Sequence, residues 1–317
     1  MEELSEKPLK LIDVRCCICE NSDAAEIANG EDFEYRTSPD TFSVSECNTC
    51  GLVYLNPRPD VSEFERIYPA SYHAFDFSEK DFGFVYKVRS RLEAKRVLSW
   101  CKDLPDDARI IDTGCGDGFH LSLLKEYGNK SWTLEGIDID SRAAQMAKDK
   151  GFTVHVGSID EVELPKDSYD LAIMVQTIEH VAEPGEVLRS VREILKPGGK
   201  IIVVTDNTES FDFKLFKKSH WGGYHFPRHW NLFNSNSLRL LSEKFGFEVE
   251  KITTQVSPVN WVYSFHNRFV DHKRAKWLTD RFTLRSTVSL SAFTMLDIVL
   301  QKFGRGGLLN ATLRKPV

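Results

Sequence analysis

The run RIIDTGCGDGFHLSLL, residues 109–124, constrains the fold more than any other stretch. Ile110 and Ile111 read as a buried parallel strand. Gly114, Gly116 and Gly118 form a G-x-G-x-G turn, and a helix opens near Phe119. Glycines at a strand-to-helix turn let the backbone approach a ligand closely. Twenty residues after Gly118, LEGIDID reads as a second strand ending in Asp138, whose carboxylate suits both hydroxyls of a ribose. The spacing is not G-x-G-x-x-G, which argues against a pyrophosphate-bearing dinucleotide.

The alternation continues. FTVHVGSIDEV gives a third strand with Asp160 after it, and SYDLAIMVQTIEHV a fourth ending at Gln176. LRSVREILKPGGKIIVVTD reads as a helix, a Pro-Gly-Gly turn and a fifth strand reaching about Asp206. A helix from Leu238 to Phe245 and the strand FEVEKITTQV follow. Upstream, Val85, Val88, Leu92, Val97, Leu98 and Cys101 mark an amphipathic helix over 85–101. Strand and helix in alternation predict an α/β doubly wound parallel sheet.

Four cysteines stand in front of it. Cys16 and Cys19 make one C-x2-C pair and Cys47 and Cys50 another, with Gly51 directly after. Four thiolates in this spacing suit a tetrahedral, structural zinc with no position left for water. Between the pairs, FEYRTSPDTFSVSE alternates like a short hairpin, so a zinc ribbon is expected over 1–60. The alternative is a set of free cysteines in a small β-rich lobe, with Cys17 a bystander. Residues 61–84 form a linker crowded with Tyr68, Tyr72, Phe75 and Phe77.

Taken as a series, DTGCGDG, GIDID, SIDEVELP, YDLAIMVQTIEHV and LKPGGKIIVV resemble the ordered motifs of class I S-adenosylmethionine-dependent methyltransferases, over roughly residues 80–256. CxxC…CxxCG followed by NPRP resembles a subgroup with an N-terminal zinc-binding lobe. The resemblance implies a Rossmann-like core over 85–256 and 306–317 that binds S-adenosyl-L-methionine. In it Asp112 and the backbone of Gly114, Gly116 and Gly118 hold the methionine part. Asp138, followed by Ile139, holds the ribose. Ile159 and Asp160 hold the adenine, and Gln176 lies near the sulfonium. The alternatives for Asp160 and Gln176 are a helix cap and a strand-end polar group.

HWGGYHFPRHWNLFN, residues 220–234, follows the fifth strand and therefore belongs at the rim of the ligand site. Pro227, Arg228, His229 and Phe233 match a Pro-Arg-His-aromatic pattern common in the related family. Methyl transfer to a hydroxyl calls for a base, and histidine suits that near neutral pH. His229 is the first candidate and His180 the second. Arg228 suits an anionic part of the substrate, and Tyr224, Trp221 and Trp230 can wall off water and stack on a ring, with plain packing the alternative for the two tryptophans. Metal binding by His220, His225 and His229 is disfavoured because Gly222, Gly223 and Pro227 interrupt any helix that would align them.

Some fifty residues, 257–305, precede the last strand GLLNATLRKP and show helical periodicity. Residues 257–317 carry ten Lys or Arg against three Asp or Glu, in a chain of net charge −6. This helical insert reads as a lid, as an attachment to anionic lipid, or as a homodimer interface. No apolar run is long enough to span a bilayer, and MEELSEKPLK lacks the apolar core of a signal peptide, so a cytoplasmic protein is expected. The expected activity is methylation of a small-molecule acceptor, possessing anionic character in one reading. A sugar, polyketide-like or lipid-linked hydroxyl is favoured, with N- and C-methylation left open. The acidic body argues against the alternative of an RNA methyltransferase using the ribbon on nucleic acid. The intact glycine loop and Asp138 argue against a non-catalytic binding module.

Overall fold

The structure is a computed structural model that describes residues 7–69, 72 and 79–317, and the side chains of all of these except 79–89. Phe75 and Phe77, and the side chains of Val85 and Val88, lie outside the described residues.

The N-terminal part contains β1 (Leu11–Ile12), β2 (Ala24–Gly30), β3 (Phe42–Cys47), β4 (Val53–Leu55) and β5 (Arg58–Pro59), then α1 (Phe64–Ile67) and α2 (Glu79–Trp100). The core alternates β6 (Arg109–Thr113), α3 (Phe119–Tyr127), β7 (Thr133–Asp138), α4 (Ser141–Asp149), β8 (Thr153–Val156), β9 (Tyr169–Val175), α5 (Pro184–Ile194) and β10 (Leu195–Asp206). Then come α6 (Phe211–Phe216), β11 (Asn231–Leu232), α7 (Ser235–Lys244) and β12 (Glu248–Gln255). The insert is α8 (Pro258–Asp271), α9 (Lys276–Thr279) and α10 (Thr287–Lys302), and β13 (Leu308–Arg314) closes the chain.

Seven strands form one sheet in the order β12-β13-β10-β9-β6-β7-β8. β6 to β10 pair in parallel, and β13 runs antiparallel between β10 and β12. This is the Rossmann-like methyltransferase fold. Alternate side chains serve its two faces. Leu171, Ile173, Ile202 and Val204 meet Val97, Trp100 and Cys101 of the α2 end. Ala172, Met174, Ile201 and Val203 meet Val187, Leu188 and Val191 of α5 and Leu238 and Leu241 of α7. Chain order reverses between β6 and β9, so the ligand crevice opens beyond their C-terminal ends.

Three local expectations change. The helix begins earlier, at Glu79, and Leu92 points to solvent rather than into the core. The Pro-Gly-Gly segment is absorbed into β10 as an irregularity, because its pairing with β9 jumps from Leu195–Tyr169 to Lys200–Leu171. In the ribbon, the strand opposite β3 is Ala24–Gly30, while residues 31–41 form the connection.

The cysteine lobe is not self-contained. Its four-stranded sheet runs β11-β4-β3-β2, and β11 is donated by the loop after β10. Cys16, Cys47 and Cys50 share one apolar cluster with Met174, Ile178 and Leu238. The lobe therefore packs on the sheet and completes its own sheet with the histidine-rich loop.

Candidate active site

The glycine loop leaves β6 through Gly114, whose φ of +81° favours glycine, and a Cβ there would collide with Thr177. Asp112, the carboxylate just before the loop, is 1% exposed, and neither oxygen has a hydrogen-bond partner among the described residues. His120 Nδ1 lies 3.6 Å from it, too long for a hydrogen bond. Burial depresses the His120 imidazole, but contacts with Asp112 and Glu93 outweigh that and bring it up to about 9. A buried carboxylate beside a glycine loop, with a charged neighbour in His120 but no hydrogen-bond donor among the described residues, fits a ligand ammonium. Asp138 accepts from the Gly116 amide at 2.7 Å and the Asp140 amide at 2.8 Å, which fixes its carboxylate at the end of β7. Burial raises its pKa. Beyond it, Ile139 is exposed, Ile159 is buried in the core, and Asp160 is exposed and bonded by the Ser158 hydroxyl.

A buried polar cluster stands at the C-terminal ends of β9 and β10. Gln176 follows β9 with φ +51° and donates to Glu179, and its amide nitrogen is 3.5 Å from Asp206. Asp206 ends β10 and is 2% exposed. One of its oxygens accepts from Asn260 of α8 at 2.6 Å, and the other lies 3.2 Å from His229 Nδ1. The same nitrogen lies 2.8 Å from the Gly223 carbonyl. A carbonyl only accepts, so Nδ1 carries the proton and Nε2 is left as the basic nitrogen. Burial pulls the His229 pKa down, but Asp206 and Glu179 outweigh it, and the net shift is upward. Burial lifts Glu179 to about 7, with the Asp206 charge adding to it and His229 opposing.

His180 differs from His229 although their rings are 4.5 Å apart. Its Nδ1 pairs with the Tyr68 hydroxyl at 2.7 Å. Burial, then the charges of His229 and His225, hold it well below the ordinary histidine range. That environment makes it a neutral supporting ring. Glu179, His180 and His229 bring ligand-type atoms within 4.8 Å of one another, close enough for a cation in principle. Each already has another partner: Glu179 accepts from Gln176 and Thr205, His180 Nδ1 pairs with Tyr68, and His229 Nδ1 donates to the Gly223 carbonyl.

Arg228 does not face an anion site. It is fully buried, donates to both Asp32 oxygens at 3.2 and 2.9 Å and to the Phe226 carbonyl at 2.7 Å, and lies over the Tyr35 ring. Burial raises the Asp32 carboxyl, yet Arg228 outweighs it and takes it down to about 2. Tyr224 is also buried, and its hydroxyl donates to the Lys217 carbonyl. Trp221 donates to Asp212 at 2.6 Å and Trp230 to the Pro227 carbonyl at 2.9 Å. These aromatic residues pack the loop rather than line a wall of the site. His225 is largely enclosed, and its Nδ1 lies 2.7 Å from the buried Glu34 carboxylate. His220 stays near the surface, 2.9 Å from Asp271.

The adjacent glycines explain how the loop docks. The Gly222 amide donates to Ser264 at 2.8 Å, and a Cβ on Gly222 would stand 2.5 Å from the Asn260 carbonyl. Only a glycine lets α8 come this close, and that approach delivers Asn260 to Asp206.

In the lobe, Cys16 and Cys50 sulfurs are 3.3 Å apart, Cys19 and Cys47 3.4 Å, and Cys19 and Cys50 4.0 Å. A tetrahedron of sulfurs about 2.3 Å from zinc has edges of roughly 3.8 Å. All four lie within 4.8 Å, so the set is compatible with a zinc ribbon. Burial raises the Cys47 thiol, but amide hydrogen bonds from Cys50 and Thr49 outweigh it and bring it down to about 7. Gly51 has φ +73°, as the tight knuckle requires. Cys17 stands apart, 3.4 Å from the Asn231 side chain.

In the sequence Glu179 stands within TIEHV and Asp206 at a strand end, and neither position signals its role. The sequence alone does not single out Asn260 and Asp32, whose meaning appears only when distant segments meet.

A glycine cradle with a buried carboxylate and a buried histidine–carboxylate cluster, both at strand ends of this fold, suit a methyl-transfer enzyme. Residues 84–252 match the family described as Methyltransferase domain, and the chain belongs to that family of S-adenosylmethionine-dependent methyltransferases. It is 28% identical over 202 residues to the tRNA (carboxymethyluridine(34)-5-O)-methyltransferase of Arabidopsis thaliana, covering 62% of this chain and 45% of that protein. To the ubiquinone biosynthesis O-methyltransferase of Bordetella avium it is 27% identical over 130 residues, 37% of this chain and 53% of that protein. The chain thus spans about half, or less, of these relatives' length. Among solved structures, Haemonchus contortus phosphoethanolamine N-methyltransferase 2 in complex with S-adenosyl-L-methionine is similar with a TM-score of 0.54 at 16% identity, covering 94% of this chain and 70% of that one. That likeness concerns the fold alone.

Proposed function

We propose that the chain methylates a hydroxyl oxygen of a small-molecule acceptor, with His229 taking the hydroxyl proton. The observation that carries this reading is the 3.2 Å approach of Asp206 to His229 Nδ1. Bound S-adenosylmethionine supplies an electrophilic methyl group on a sulfonium. Asp112 and the loop from Gly114 to Gly118 hold its methionine end, Asp138 its ribose, and Asp160 with Ile139 and Ile159 its adenine. Gln176 borders the reacting end. His229 Nε2 would receive the hydroxyl proton as the methyl's bond to sulfur gives way to its bond to oxygen, leaving S-adenosylhomocysteine, and Asp206 would stabilise the imidazolium. Holding the acceptor oxygen in line supplies much of the rate. Arg228, Tyr224 and His180 position the loop. Zinc on Cys16, Cys19, Cys47 and Cys50 keeps the lobe in register with it.

The two sequence relatives named above are O-methyltransferases by name, which supports oxygen as the acceptor atom. The test is transfer of labelled methyl to a panel of phenolic, sugar and lipid-linked hydroxyl acceptors, with amines alongside. Labelling of hydroxyl acceptors that is lost in His229→Ala is expected. Labelling of amines alone would overturn the reading.

A second reading is an RNA acceptor, favoured by the tRNA-directed name of the Arabidopsis thaliana protein. Unfractionated tRNA in the same panel separates the two.

A further inference from the structure

The helix α10 carries an apolar face that none of the described residues covers. Asp297 points inward, accepting from the Ser257 amide at 2.7 Å and the Gly307 amide at 3.1 Å. On the same inner side, Phe293 stacks on Trp261 of α8 with centroids 5.4 Å apart. The opposite side presents Val288, Ala292, Met295 and Val299, and Phe303 follows at the helix end. These positions are spaced by four, three, four and four residues, which is one stripe along a helix. Val288 is 74% exposed, Met295 66% and Phe303 76%, and Trp277 of α9 is 67% exposed nearby in sequence. So many large apolar groups in solvent on one element mark an interaction surface.

Charge says what kind. Residues 257–317 hold ten Lys or Arg against three Asp or Glu, and one of the three, Asp297, is buried. Exposed Lys276, Arg281 and Arg285 precede the stripe, and exposed Lys302 stands at its far end. An apolar stripe flanked by long basic side chains fits an acidic lipid surface, with the stripe in the acyl boundary and the cations among the headgroups. The helix is about 24 Å long and lies flat in this arrangement. None of the described helices is long and apolar enough to cross a membrane.

We infer that α10, with Trp277, docks the protein on an anionic bilayer. This rests on the proposed acceptor reading and deepens it, because α8 lies between the stripe and the site. Its Trp261 contacts α10 and its Asn260 holds Asp206. An acceptor that is lipid-borne or lipid-linked would then reach His229 from the membrane side.

The test is co-sedimentation of the full chain with vesicles of phosphatidylcholine alone and of phosphatidylcholine with phosphatidylglycerol. Roughly tenfold or greater preference for the anionic vesicles is expected, weakening with salt. The variant Val288→Ser/Met295→Ser/Val299→Ser and the variant Arg281→Gln/Arg285→Gln/Lys302→Gln should each lose it. Both should still bind S-adenosylhomocysteine like the parent, which shows that they fold. Equal binding to both vesicles, or none, overturns the inference. So does a dimer that the serine variant dissociates while no vesicle is bound. Methylation of soluble hydroxyl acceptors tests the acceptor reading separately and does not depend on these outcomes.

Discussion

Asp206 lies 3.2 Å from His229 Nδ1, and Asn260 of the insert grips the other oxygen of the same carboxylate at 2.6 Å. Strand end, active-site loop and insert therefore converge on one buried carboxylate. If it holds the His229 proton on Nδ1, the ring should titrate above the ordinary histidine value of about 6.5. Nitrogen-15 NMR of labelled histidine checks this. In Asp206→Asn the midpoint should fall, and the methyl-transfer rate should drop by roughly 10²- to 10⁴-fold. The rate in the parent should rise with pH through the His229 midpoint, because the base acts without its proton. Stability runs the other way. A raised folded-state pKa stabilises below the unfolded value, and that contribution is lost as pH rises through the folded one.

Arg228 and Asp32 form a fully buried pair joining the histidine loop to the lobe. Removing one partner leaves a buried charge unmatched, at a cost of about 3–5 kcal/mol. Arg228→Ala should lower the denaturant midpoint accordingly. If Arg228 instead held a substrate anion, the change would appear as a raised KM in a protein of unchanged stability.

Burial pushes the Glu34 carboxyl up to about 8. In the unfolded chain it ionises near 4.5, so its burial favours the fold below that value and loses this contribution as pH rises through 8. Glu34→Gln removes the titration. The stability of the variant relative to the parent should therefore climb between pH 4.5 and 8, which urea unfolding at a series of pH values would show. A flat difference would mean that Glu34 is ionised in the folded protein.

Much of the sheet was legible because buried parallel strands and a glycine turn are local signals. The pattern around Ile110, Gly114 and Asp138 needs no distant partner to be read. Arg228 shows where such reading stops. Its charge suggested a substrate anchor, but its partner Asp32 lies 196 positions away, and no local pattern links them. Tyr224 and Trp221 show a related limit. An aromatic residue in a loop reads alike whether it lines a cavity or fills one, and only packing decides. The lobe boundary failed similarly, since β11 joins the lobe's sheet from residues 231–232.

The four cysteine sulfurs lie within 4.8 Å of one another at the seam between lobe and sheet. Metal analysis should find one zinc per chain, and Cys47→Ser should lose it. Because Cys16, Cys47 and Cys50 share a cluster with Met174 and Leu238, chelation should lower the melting temperature of the whole chain rather than melt a separate lobe. A two-step thermal transition after chelation would contradict this.

The most direct test of the account is calorimetric titration with S-adenosylhomocysteine of the parent, Asp138→Ala and His229→Ala. The division of the crevice into a cofactor half and an acceptor half predicts binding by the parent. It predicts a loss of roughly a hundredfold in Asp138→Ala, where hydrogen bonds to a charged group disappear, and near-parent binding by His229→Ala. Equal weakening in both variants, or none in Asp138→Ala, would contradict it.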